Sequence, residues 1–266
     1  LRGGTVAAGA ARLSGPSRPR LNRLKTPLMT PSPLNPAPAT STPRQLVFPL
    51  PARRWVLVAM LVLFGGGVLA HSLPVLLPLA LAITTPLLLL TNAAVLLAVL
   101  DDECSRRLRW WCLGAWALTV ALEMLGVATG LVFGPYQYGP TLNGQVAGVP
   151  LLIGLNWTTL LLGALALTER LAPSAGPWGR PLLAAALLTG FDWVMEPVAV
   201  RFGYWHWQTW PLIPVRNYVA WYGIAAGLGL ALAAARVRVR TALAVAYFGI
   251  QLGFFVLLRL LSTPTQ

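Results

Sequence analysis

From Trp55 onward the chain is a succession of apolar stretches, each near the roughly 20 residues a helix needs to cross a bilayer. They run approximately Trp55 to Ala70, Pro74 to Leu100, Trp110 to Val132, Val149 to Leu167, Pro181 to Val200, Tyr218 to Ala235 and Thr241 to Leu261. Few folds accommodate that pattern. In hydrocarbon every backbone amide must be satisfied within the protein, so segments of this length and composition fold as helices. The expected class is all-α, a polytopic membrane helix bundle of about seven transmembrane helices. A hydrophobic fraction of 56%, a charged fraction of 10% and a mean hydropathy of +0.67 exclude an ordinary soluble domain.

The net charge of +13 would suit a nucleic-acid partner if the basic residues formed a patch, but they sit at the ends of apolar stretches and in the N-terminal arm. They read as topology determinants, and no nucleic acid is expected. With the N-terminus cytoplasmic and the C-terminus outside, seventeen of the 20 Lys and Arg residues fall on the inner side. Only Arg201, Arg216 and Arg259 fall on the outer side. The expected location is the cell membrane, multi-pass. Residues 1–50, rich in Pro and Arg, are expected to be a disordered arm without a catalytic role, and no cleaved signal peptide is expected. Residues 51–266 are expected to form one transmembrane domain.

Several chemistries lack their residues. His71 and His206 are the only histidines, too few for a multi-histidine di-iron centre, and Cys104 and Cys112 match no metal spacing. The only lysine, Lys25, lies in the arm, so no span offers a Schiff-base partner for retinal. No metal or cofactor is expected.

Three of the seven acidic residues, Glu123, Asp192 and Glu196, fall inside the apolar stretches. An Asp at the centre of a spanning helix costs about 2.5–3.5 kcal/mol on insertion scales, so acids kept there mark an interior site. Counting about 1.5 Å per residue from the inner end of each span, Glu123 lies roughly 20 Å deep, Asp192 roughly 16 Å and Glu196 roughly 22 Å. Asp192 and Glu196 are four apart and share a helix face, with Pro197 expected to bend the helix beside them. No Lys or Arg occurs at that depth. Burial without a cation favours the neutral acid, so the site is expected to hold at least one carboxyl group able to donate a proton.

The outer connections on the side of these acids are rich in aromatic rings and amides. One carries Tyr136 and Tyr138 and leads to Asn156 and Trp157; the other carries Trp205 and Trp207 and leads to Asn217 and Trp221. Trp55, Trp110 and Trp178 suit an interfacial aromatic belt. The Tyr-x-Tyr and Trp-x-Trp pairs, each followed by an Asn at or near the start of a span, point instead to the site.

The string Glu123-x-x-Gly126-x-x-Thr129-Gly130-x-x-Phe133-Gly134-x-Tyr136-x-Tyr138, followed by Gly148-Val149-Pro150 and Asn156-Trp157, resembles the cofactor-independent integral-membrane carotenoid 1,2-hydratases. Asp192-x-x-x-Glu196-Pro197, Gly203-x-Trp205-x-Trp207, Pro214, Asn217 and Trp221 continue the resemblance, which covers roughly Trp110 to Leu230. The chain departs from the family pattern at Glu196, where Asp is usual, and at Ala220, where Gly is usual.

The resemblance implies addition of water across the terminal C1–C2 double bond of an acyclic carotenoid end, as in gamma-carotene, lycopene or bisanhydrobacterioruberin. The product is a tertiary alcohol. The partners would be a long polyene, water and membrane lipid, and no cofactor is required. Asp192 is then the expected general acid, with Glu196 or Glu123 holding the water as base, or the acid and base roles are exchanged among them. Tyr136, Tyr138, Trp157, Trp205, Trp207 and Trp221 would line the polyene site, and Asn156 and Asn217 would orient water or the carboxyls. Two alternatives share the buried acids: a carotenoid end-group cyclase, which also starts by protonating the end, and a proton-coupled membrane transporter.

Overall fold

The computed structural model describes residues 3–4 and 50–261. The expected disordered arm therefore lies outside the described residues, apart from Gly3 and Gly4. The described chain folds into seven helices: α1 (Leu50–Ser72), α2 (Leu77–Glu103), α3 (Arg106–Thr129), α4 (Leu151–Leu171), α5 (Gly176–Arg201), α6 (Val215–Ala234) and α7 (Ala242–Leu261). A turn of 3-10 helix, Pro173–Ala175, precedes α5. All seven are long and apolar enough to cross a membrane, as expected for a multi-pass membrane protein.

Helix ends follow local chemistry. The third helix starts before Trp110 because Ser105 caps it, its hydroxyl accepting from Leu108 N–H at 3.2 Å, which places Arg106, Arg107 and Arg109 on the first turns. It stops at Thr129, short of the expected Val132. Gly130 adopts φ +65° there and returns its N–H to the Gly126 carbonyl at 2.7 Å, a left-handed cap that glycine accepts without strain. The fifth helix continues through both Pro181 and Pro197 to Arg201.

Helix α4 is the central element, with 78% of its apolar window buried against 11% for α1. Small residues let its neighbours come close. A Cβ on Gly154 would lie 2.6 Å from Val120 of α3, and one on Gly163 would lie 2.6 Å from the Ala244 carbonyl of α7. Large apolar side chains such as Leu61, Leu90, Leu113 and Leu187 cover the outer faces, which suits a lipid surround.

The two ends of the bundle differ in chemistry. At the end where α1 begins, Arg53 binds Asp101 at 3.1 Å and also Asp102, Arg180 binds Glu169 at 2.7 Å, and Arg240 N–H donates to Glu103 at 2.6 Å. At the opposite end the long connections form two short antiparallel pairs. Strands β1 (Tyr136–Tyr138) and β4 (Trp205–Trp207) set Tyr136 opposite Trp207 and Tyr138 opposite Trp205. Strands β2 (Gln145–Val146) and β3 (Val149–Pro150) turn through Ala147 and Gly148, both at positive φ, as a tight hairpin requires.

Candidate active site

The helices leave a cavity of about 300 Å³ near the strand-capped end. Glu123, Asp192, Glu196, Tyr136, Tyr138, Asn156, Trp157, Trp205, Trp207, Asn217 and Trp221 all line it, so the structure gathers all eleven candidate site residues around one space. The three acids come from two helices. Glu123 sits on α3, while Asp192 and Glu196 sit one turn apart on α5, and all three are buried. None forms a salt bridge among the described residues, whereas the other four acids are partnered at the basic end.

Their partners are neutral donors. The carboxylate of Glu196 accepts from Trp205 Nε1 at 2.9 Å and Trp207 Nε1 at 2.8 Å on Oε2, and from Asn217 Nδ2 at 3.2 Å on Oε1. The same Asn217 amide donates to Asp192 Oδ2 at 2.9 Å, tying the pair together. Tyr136 O–H donates to Glu123 Oε2. Tyr138 is a second phenol partner of Glu123, whereas among the described residues Asp192 Oδ1 receives no hydrogen bond. Strand alternation explains the double indole contact: Trp205 and Trp207 are two apart on β4, so both rings fall on the strand face toward α5.

Burial, and after it the neighbouring Glu123 carboxyl, hold the Tyr136 phenol well above its ordinary range. The same two causes act on Tyr138 in the same direction. Both phenols therefore stay protonated and serve as hydrogen-bond donors. Glu196 is a pure acceptor, because indole and amide N–H groups only donate.

Aromatic rings build the wall around the acids. Phe133 and Trp221 stack at 4.9 Å, and Trp157 stacks on Trp221 at 4.2 Å, giving a three-ring column whose members all line the cavity. Tyr136 packs on Trp207 at 5.0 Å and Tyr138 on Trp205 at 6.0 Å, which joins the strand pair to the wall. Such faces attract positive charge while offering no lone pair for it to capture.

Asn156 stands apart from the carboxyls. Its Oδ1 accepts from Asn92 at 3.1 Å, Tyr247 at 3.0 Å and Gln251 at 2.9 Å, forming a separate polar node between α2, α4 and α7. Asn156 makes no hydrogen bond to the carboxyls among the described residues; of the two amides expected to orient water or the carboxyls, Asn217 makes those contacts. Sequence reasoning also passed over the contribution of α1 and α2, whose Phe64, His71 and Thr84 line the cavity. In sequence His71 is one of only two histidines and falls between two apolar stretches, with nothing beside it to mark a site. It hydrogen-bonds the Gly67 carbonyl at 2.8 Å and stands 3.5 Å from the Tyr204 hydroxyl.

Among the described residues no three His, Cys, Asp or Glu side chains form a group that could hold a metal ion. The arrangement can move protons: an acid with a free oxygen, a second carboxyl held by phenol hydroxyls, a fixed acceptor and a wall suited to a transient cation. No curated protein and no solved structure matches the chain. A family model described as carotenoid biosynthesis protein matches residues 83–263, more than two thirds of the sequence and all three acids. By that match the chain belongs to the carotenoid biosynthesis protein family, and its place is in carotenoid biosynthesis.

Proposed function

We propose that the protein is a carotenoid 1,2-hydratase, adding water across the terminal C1–C2 double bond of an acyclic carotenoid end. One observation carries the reading: three carboxyl groups without a cation share an apolar, aromatic-walled cavity in a membrane protein of this family. Hydration of an isolated alkene transfers no electrons. It needs a proton for one carbon, a stabilised cation on the other, and a water stripped of a proton as it adds.

Asp192, with Oδ1 unbonded, gives its proton to C2, and the alkene electron pair becomes the new C–H bond. The tertiary cation left on C1 faces the column of Phe133, Trp221 and Trp157. Glu123, held on Oε2 by the Tyr136 hydroxyl and partnered also by Tyr138, takes a proton from the water whose oxygen bonds to C1. Glu196, fixed by three N–H donors, keeps negative charge beside the cation without acting as a nucleophile. Proton return from Glu123 to Asp192 restores the starting state. General acid and base steps of this kind each contribute roughly 100- to 10,000-fold.

Expression in a host that accumulates an acyclic carotenoid tests the proposal by pigment mass. Hydration adds one water per reacted end. An unchanged mass with altered chromatography would favour a cyclase, and unaltered pigment with proton-coupled solute uptake into liposomes would favour a transporter. Asp192→Asn is expected to lower hydration by at least a hundredfold; full activity in that variant would remove Asp192 from the acid role.

A further inference from the structure

The cavity wall is not all interior. Val62 and Leu63 of α1 and Ile83 of α2 line it, yet they are 67%, 41% and 46% exposed on the outside of the bundle. A side chain belongs to both surfaces only at an opening. Gly66 of α1 and Leu87 of α2 line the same part. All five residues lie within the apolar spans, and Gly66 and Ile83 each stand about 9 Å along the helix from the end nearest the α1–α2 turn. The mouth therefore opens at hydrocarbon depth, with no Asp, Glu, Lys or Arg lining it.

The route from the capped end is covered. Tyr136, Trp205 and Trp207 are buried, and the β1–β4 pairing holds them over the acids. The cavity, at about 300 Å³, is at the lower limit for enclosing even a drug-sized ligand, and a carotenoid is a far longer rod. A carotenoid end seated at the acids leaves most of its polyene outside.

We propose that the gap between α1 and α2 is a lateral portal through which the carotenoid end enters from the bilayer and in which the adjoining polyene lies during reaction. Gly66 keeps that portal open. A Cβ built on Gly66 meets nothing within 4 Å, whereas one on Gly67 would stand 3.2 Å from the Phe254 ring, so Gly67 serves packing and Gly66 leaves free space. The inference rests on the hydratase reading only for what happens at the inner end; the portal itself requires only a carotenoid ligand.

The test uses the full chain in lipid nanodiscs containing an acyclic carotenoid. For Gly66→Trp, the ratio of kcat/KM on the full-length carotenoid to that on a short isoprenoid with the same terminal end is expected to fall at least tenfold. An unchanged ratio overturns the portal. A benzophenone side chain introduced at Ile83 gives an independent reading that needs no turnover and no folded Gly66 variant. On illumination it should form a carotenoid adduct, while the same group at Val219, 66% exposed on α6 and outside the cavity lining, should not. No adduct at position 83, or equal adducts at both positions, sinks the portal. An adduct at position 83 from a parent protein that hydrates neither substrate sinks the hydratase reading and leaves the portal standing.

Discussion

Glu196 receives three N–H groups and Asp192 one, and that difference decides what each position tolerates. An amide in place of Asp192 still offers a carbonyl oxygen to Asn217, so Asp192→Asn removes the acid and keeps the bond. Glu196→Gln has no such solution. Both oxygens of Glu196 are acceptors, and turning either into NH2 sets a donor against the two indoles or against Asn217. Each buried donor left unsatisfied costs about 1–3 kcal/mol. Glu196→Gln is therefore expected to lower the thermal midpoint in detergent by several degrees while Asp192→Asn shifts it little, as differential scanning fluorimetry would show. Equal shifts would mean that Glu196 is not held by the three donors. Glu196→Asp probes the chain's departure from its family, since loss of one methylene draws the carboxyl away from the indoles. The expected result is reduced activity, recovered only in part.

The β1–β4 pair is the element that turns a helix bundle into a closed site, and two glycines set its geometry. A Cβ on Gly139 would fall 2.0 Å from the Gly203 carbonyl, and Gly139 N–H also bonds the Tyr204 carbonyl at 2.8 Å. Gly139→Ala must pry the strands apart and with them the Trp205 and Trp207 indoles on Glu196. Gly126, one turn after Glu123 on α3, leaves room for the Phe133 ring, which would stand 2.6 Å from a Cβ there. Gly126→Ala is expected to displace Phe133 from Trp221 and cost roughly tenfold in kcat/KM, equivalent to about 1.4 kcal/mol, with the fold intact by circular dichroism. Unchanged turnover would remove the ring column from the mechanism. These strands were not legible beforehand. Two- and three-residue runs between Gly and Pro, even with the Tyr-x-Tyr and Trp-x-Trp spacing, are too short for alternation to identify a strand, and β1 pairs with a strand beyond two intervening helices. The helices were legible because a span needs nothing but length and apolarity, although their ends moved with caps such as Ser105 and Gly130.

Acidic residues are partitioned across the molecule by their partners. Asp101, Asp102, Glu103 and Glu169 sit at one end with arginine side chains or a backbone N–H, while Glu123, Asp192 and Glu196 sit inside with neutral donors. Depth counting from sequence foresaw that the three would meet, because apolar flanks make an interior acid conspicuous. It did not foresee the separate node around Asn156, nor the mouth between α1 and α2, because polar pairing across helices and a gap between them leave no pattern along one chain. The partition separates a packing role from a catalytic one. Acids retained to fix packing would stabilise the bundle, and their neutral amides would weaken it. Acids retained for chemistry are a cost to the bundle, since a buried ionisable group without a cation is stabilised by replacement with a neutral group of the same shape. The double variant Glu123→Gln with Asp192→Asn keeps an acceptor for Tyr136 and for Asn217, so its thermal midpoint in detergent is expected to equal or exceed that of the parent while hydration falls by roughly a hundredfold or more. A midpoint several degrees lower, with activity lost only in proportion to folded protein, would assign the acids to packing and leave the hydratase mechanism without its proton donor and base.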